Sequence, residues 1–134
     1  MSFIFKEYPE EKLIVKKIRG NISLLEIQDV LIKTIQINAQ FPEHKILNDY
    51  RFSTFDFNVP ELKAMLKGIK LKELPQQWKV FIFDSEEKNP LYNLYLKTYN
   101  FKNTRVFDSL ETACNFLNLD HCLVADFLTT STEY

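Results

Sequence analysis

Along this chain the spacing of apolar residues switches between a period of two and a period of 3.6. The order of those switches constrains the fold more than any single motif does. Phe3-Ile4-Phe5-Lys6-Glu7-Tyr8 and Lys12-Leu13-Ile14-Val15-Lys16-Lys17-Ile18 read as strands, with Pro9-Glu10-Glu11 as the turn between them. So short a connection makes the pair an antiparallel hairpin. Gly20-Asn21 is expected to stop the second strand. Ser23-Leu24-Leu25-Glu26 then has the form of a capping box. It opens a helix to about Ala39, with Leu24, Ile27, Leu31 and Ile35 on one face and Val30 and Ile32 widening the stripe.

The pattern repeats. Lys45-Ile46-Leu47-Asn48-Asp49-Tyr50 is a third strand, parallel to the one before the helix. Asn58-Val59-Pro60-Glu61 caps a second helix, on which Leu62, Met65, Leu66 and Ile69 share a face. Residues 77–83 form the most apolar strand, expected at the centre of the sheet. Asn89-Pro90 starts a third helix, with Pro where a missing N–H costs nothing. Thr104-Arg105-Val106-Phe107 is a fifth strand, and Asp108-Ser109-Leu110-Glu111 starts a helix that buries Leu110, Ala113, Cys114 and Leu117. A last short helix runs from Asp120 through Leu128. This order predicts an α/β fold: a mixed, largely parallel five-stranded sheet led by an antiparallel hairpin, with covering helices. No linker or repeat divides residues 1–134, which are expected to be a single domain with 119–134 as a C-terminal extension.

Composition narrows the function classes. A chain of 134 residues buries about 65–70% of its unfolded surface and needs no metal or disulfide staple. Seventeen basic residues against eighteen acidic ones leave no field to gather nucleic acid or an anionic membrane. Two glycines leave no room for a glycine-rich phosphate loop. No apolar run reaches the roughly 20 residues of a membrane span, and the N-terminus lacks the pattern of a signal peptide. Cys114 and Cys122 sit in apolar, helix-like surroundings and are expected as buried thiols, a mutual disulfide being the alternative. These features suggest a cytoplasmic protein.

Three landmarks carry a family resemblance: Ile18-Arg19-Gly20-Asn21-Ile22-Ser23, Ile46-Leu47-Asn48-Asp49-Tyr50-Arg51, and Arg105-Val106-Phe107-Asp108-Ser109-Leu110-Glu111-Thr112-Ala113. Over roughly residues 3 to 118 the chain resembles the small STAS-like (SpoIIAA-like) domains, particularly the stand-alone bacterial proteins grouped as STAS/SEC14-like. The resemblance implies a STAS/SpoIIAA-like fold and a non-enzymatic role. Anti-sigma-factor antagonists of that family carry an Asp-Ser-Ser-Gly-type segment with a phosphorylated serine after the third strand. Here the stretch is Arg51-Phe52-Ser53-Thr54-Phe55-Asp56-Phe57-Asn58, without glycine or an Asp-Ser pair. Ser53 and Thr54 are acceptors by position alone, and the signalling branch is disfavoured.

In open α/β sheets, ligands bind outside the carboxyl ends of the strands. The candidates there are Asp49, Arg51, Phe52, Ser53, Asp84 and Ser85, with Asn21, Ser23, Asp108 and Ser109 at neighbouring strand ends. Asp49 and Arg51 are two apart and can pair on one side of a strand. That pair is expected first as a structural tie and second as an anion contact. A receiver-like magnesium site fails, because Arg19-Gly20-Asn21 offers no acidic residue and no lysine follows Phe107. His44 and His121 stand apart without metal-ligand spacing, so no metal, cofactor or catalytic set is expected. Lys63, Lys67, Lys70 and Lys72 form a basic stripe best explained as a solvated helix face. Tyr92, Tyr95 and Tyr99 on the third helix exceed one core-facing stripe, which favours a homodimer or protein partner there, with the tail's Leu123, Val124, Phe127 and Leu128 as the alternative cover. The expected function is a STAS-like interaction or regulatory module. The alternative is a small-molecule or lipid-binding domain of SEC14-like kinship, taking a small apolar ligand.

Overall fold

The computed structural model describes residues 1–69, 77–84, 89–98 and 102–129, apart from the side chains at 95, 96 and 98. Strand β1 (Ser2–Tyr8) runs antiparallel to β2 (Leu13–Ser23), and a 3₁₀ turn at Pro9–Glu11 joins them. The turn closes on Lys12, whose left-handed backbone (φ 50°) lets its N–H donate to the Pro9 carbonyl. Helix α1 (Leu24–Gln40) leads to β3 (Lys45–Asp56), and α2 (Val59–Leu66) precedes β4 (Lys79–Ile82). A π-helix (Leu91–Thr98) and β5 (Thr104–Phe107) follow, then α3 (Leu110–Leu117) and α4 (His121–Thr129). The sheet order is β1-β2-β3-β4-β5, antiparallel at the first pair and parallel at the rest. The expected architecture is therefore present.

Local chemistry sets the helix starts. Ser23 Oγ accepts from the Glu26 N–H while Glu26 returns a carboxylate to the Ser23 N–H, and Asn58 and Glu61 repeat the arrangement. Each cap contributes about 1 kcal/mol. Asn89 Oδ1 accepts from the Leu91 and Tyr92 amides, which fixes the entry of the π-helix. Ser109 Oγ caps α3 through the Thr112 N–H.

Several expectations need correction. Gly20-Asn21 does not end β2, which continues to Ser23. Gly20 bends the strand at φ +94° instead, and a Cβ there would lie 3.2 Å from the Met1 Cα. β3 runs six residues past Tyr50, so the phenylalanine-rich stretch begins as strand and not as loop. β4 lies one place from the sheet edge, and β3 takes the centre. Ile32 is exposed on α1, and Cys122 is an exposed free thiol on α4, whereas Cys114 is buried as expected.

Strand alternation divides the core into two layers. On one face, α1, α2 and the π-helix pack on Ile18, Ile22, Tyr50, Phe81 and Phe83. On the other, α3 and α4 cover Leu13, Val15, Leu47, Val80 and Ile82. Val124 and Leu128 of α4 are fully buried in this second layer, contributing about 1.5–3 kcal/mol each. The C-terminal segment thus packs across the sheet from Leu91 and Leu94, so its apolar residues do not cover the third helix.

Candidate functional site

The middle of β3, just beyond the point where β4 stops pairing with it, is where the sheet departs from regularity. Lys17 of β2 stands opposite Asp49, but two residues later Arg19 stands opposite Phe52. β3 therefore carries one extra residue, a β-bulge between Asp49 and Phe52. Ser53 accommodates the bulge. Its Oγ donates to the Ile18 carbonyl at 2.7 Å, and its side chain is buried between the strands.

The bulge also aims Arg51 back at Asp49. Arg51 Nε and Nη2 donate to the two Asp49 carboxylate oxygens at 2.9 Å, and the Arg51 backbone N–H adds a third bond at 3.0 Å. Asp49 is 1% exposed, so this is a fork-on-fork pair held in a low-dielectric site. Hydrogen bonding to Asp49 holds the Arg51 guanidinium above its ordinary pKa. Cys114 of α3 lies within electrostatic reach, and burial pushes its thiol up while Arg51 pulls the other way. Two of the predicted site residues therefore meet as a closed internal pair.

Phe52 does the opposite. It is 59% exposed, with the Arg51 guanidinium 5.3 Å from its ring centroid and that of Arg19 at 5.1 Å. Two cations flanking one exposed phenyl form a prominent knob midway along β3. Asn21 and Thr54 form the next rung, exposed and bonded to each other at 3.0 Å. Asp84 is exposed at the end of β4 and acts on Arg51 only through its charge. Ser85 and Tyr99 lie outside the described residues, as does the side chain of Tyr95. Tyr92 is half-buried and packs edge-on against Phe83, so part of its apolar surface belongs to the core.

The sequence reading missed two groups of polar residues. Lys17 Nζ donates to the Phe127 carbonyl and Arg19 Nη2 to that of Leu128, so β2 caps the last turn of α4. On the opposite face, Lys16 is fully buried and its Nζ donates to Asn38 Oδ1 at 2.5 Å. Burial, then the charge of Lys79, lowers the Lys16 pKa to about 7. Gln77 Nε2 ties the carbonyls of Asn38 and Phe41 at the end of α1, while Asn38 Nδ2 and Gln77 Oε1 find no partner among the described residues. The available signal was a pair of lysines within the apolar run of β2, residues that are rarely buried without a partner. Among the described residues, no three His, Cys, Asp or Glu side chains gather as metal ligands.

No protein-family model and no curated protein matches this chain. A solved structure does resemble it: an uncharacterized protein of the DUF3478 family with a SpoIIAA-like fold, from Shewanella loihica PV-4. The likeness has a TM-score of 0.55 at 12% identity, covering 87% of this chain and 92% of that one. At such low identity the correspondence is one of architecture, and the chain has a SpoIIAA-like fold. Among the described residues no helix is long and apolar enough to cross a membrane.

Proposed function

We propose that this protein is a non-enzymatic interaction module of the STAS-like kind, working by protein–protein contact in a bacterial cytoplasm. One observation carries the reading. Around the β3 bulge Asp49, Arg51 and Ser53 are engaged internally, while the large apolar side chain among them, Phe52, is left in solvent. Asp49 and two of the three Arg51 guanidinium nitrogens are bonded to each other, and Ser53 is bonded to the neighbouring strand. Phe52 remains as the contact group, with Arg19 and Arg51 as its charged flanks. An exposed aromatic beside arginine is the composition of interface hot spots.

The alternative, a small-molecule or lipid-binding domain, would need the phenylalanine-rich stretch of Phe52, Phe55 and Phe57 to offer a free apolar surface. Phe55 and Phe57 pack against each other at 5.7 Å and against the core, which favours the interaction reading. Native mass spectrometry of the purified chain separates the two. We expect protein–protein species without a stoichiometric small-molecule adduct. A tightly held apolar adduct would overturn the proposal in favour of the alternative.

A further inference from the structure

The buried bond between Lys16 and Asn38 leaves one hydrogen-bonding group over. Lys16 Nζ, fully buried on β2, donates to Asn38 Oδ1 at 2.5 Å. Since Nζ takes the oxygen of that side-chain amide, the NH2 of the same planar group is left beside it. Asn38 is 1% exposed, and its Nδ2 has no acceptor among the described residues. Gln77 Nε2 donates to the Asn38 and Phe41 carbonyls at 3.1 and 3.0 Å, which anchors the end of α1 over this spot. A buried N–H without an acceptor is destabilising, and here it sits next to a nitrogen that can react.

The surroundings are cationic. Strand register sets Lys16 opposite Asn48 and Asn48 opposite Phe81, so Lys79, two residues before Phe81, lies on the same face of the sheet. Lys79 is buried, its Nζ donates to the Gln77 carbonyl, and its charge acts on Lys16. Among the described residues no carboxylate forms an ion pair with Lys16. Burial and Lys79 bring the Lys16 pKa to about 7, so at neutral pH about half of it is free amine. An exposed lysine is free amine only to about one part in two thousand at that pH. Lys16 is thus a nucleophilic nitrogen beside an unused donor and near a cation.

We propose that Lys16 is a carbon dioxide site, whose Nζ takes up CO2 as a carbamate paired with the Asn38 side-chain amide. The Nζ lone pair forms the N–C bond, one C–O π pair moves onto oxygen, and the proton lost from Nζ passes to water. The carbamate keeps one N–H, which still donates to Asn38 Oδ1. An oxygen on the same side of the planar carbamate accepts from Asn38 Nδ2, so both halves of the amide are bonded. The adduct also replaces a buried cation by an anion facing Lys79, which turns the repulsion between the two lysines into attraction. CO2 is small, uncharged and apolar, and reaches a packed core through local opening. The proposal stands independently of the interaction-module reading.

Carbon-13 NMR of the full chain at neutral pH, in labelled bicarbonate with its equilibrium CO2, tests this. The wild type is expected to show a carbamate resonance separate from those of bicarbonate and dissolved CO2. Lys16→Met removes the nucleophile and should abolish that resonance, whereas any carbamate on the α-amine is common to both proteins and subtracts. Asn38→Asp keeps Lys16 but replaces the N–H donor with an anion that repels a carbamate and holds the ammonium charged, so the resonance should again be lost. Far-UV circular dichroism confirms that each variant is folded. Lys16→Met removes a buried charge and serves even where Asn38→Asp does not fold. Bicarbonate should also raise the wild-type urea midpoint above its value in chloride of equal ionic strength, and leave that of Lys16→Met unmoved. The absence of a resonance specific to Lys16, a resonance undiminished in Asn38→Asp, or a midpoint that responds equally in wild type and Lys16→Met would each overturn the proposal. Bicarbonate held without a covalent bond would stabilise the protein with no carbamate resonance, and that result overturns it as well.

Discussion

Lys16 and Lys17 are neighbours on β2, and both are buried, yet the molecule treats them in opposite ways. Strand alternation sends Lys16 to the α1 face and Lys17 to the α4 face. Lys16 meets an amide oxygen and, nearby, a second lysine, so its ammonium is poorly compensated and its pKa falls to about 7. Lys17 meets the Phe127 carbonyl at 2.9 Å, in the last turn of α4, and the Phe127 ring at 4.7 Å. Both are electronegative, the first as the end of a helix dipole and the second as a π-face. A buried ammonium can thus be discharged or matched with dipoles. One strand does both because different helix ends cover its two sides.

The largest test of this contrast is the pH dependence of stability. Lys16 has a folded pKa below its unfolded value, so the unfolded chain binds more protons between about pH 7 and pH 10. Stability therefore rises with pH across that window. The penalty of burying the charge is fully present below about pH 7 and is relieved toward the unfolded pKa. The Lys16 contribution is on the order of 3–4 kcal/mol. Lys79 is also depressed by burial and adds a slope of the same sign. Lys16→Met should remove most of the rise, as measured by urea midpoints at neutral and alkaline pH. Equal slopes in the two proteins would place Lys16 in a better-compensated site and erase the contrast with Lys17.

On the α4 face the expected loss is somewhat smaller. Asp49→Ala leaves Arg51 half-buried without its counter-ion, at a cost of about 3 kcal/mol in a urea titration at neutral pH. Asp49→Asn keeps the shape and one acceptor, and should fall between the wild type and the alanine variant. An unchanged midpoint would mean that Asp49 is not the structural tie that its three bonds from Arg51 indicate.

Much of this architecture was legible in the sequence, for identifiable reasons. The capping boxes at Ser23 and Asn58 and the short strand at Thr104–Phe107 are local signals, and each appears where its residues place it. The pairing of Asp49 with Arg51 followed from a two-residue spacing on one strand. What the sequence concealed was non-local. Gly20-Asn21 has the composition of a strand end, but pairing with Ser53 and Thr54 across the sheet carries β2 through it. The bulge in β3 depends on how that register resolves, so Phe52 could not be assigned to a face in advance. Likewise, only the docking of α4 gives Lys17 and Arg19 their carbonyl partners, which lie about a hundred residues away in the chain.

The smallest expected effect concerns the bulge that sets Phe52 on the same face as Asp49 and Arg51. Two devices hold it: the Arg51–Asp49 pair on that face, and the bond from Ser53 Oγ to the Ile18 carbonyl between the strands. Ser53→Ala removes the second and leaves the first. The loss should be about 1 kcal/mol, the net worth of one buried hydrogen bond, visible as a small shift of the urea midpoint with an unchanged slope. A double-mutant cycle with Asp49→Ala then shows whether the two devices act together. If they support one bulge, their effects will not add, because the residues share a strand and a partner strand. Strict additivity would mean that each side of β3 is held independently, and that Phe52 owes its exposed position to the ion pair alone.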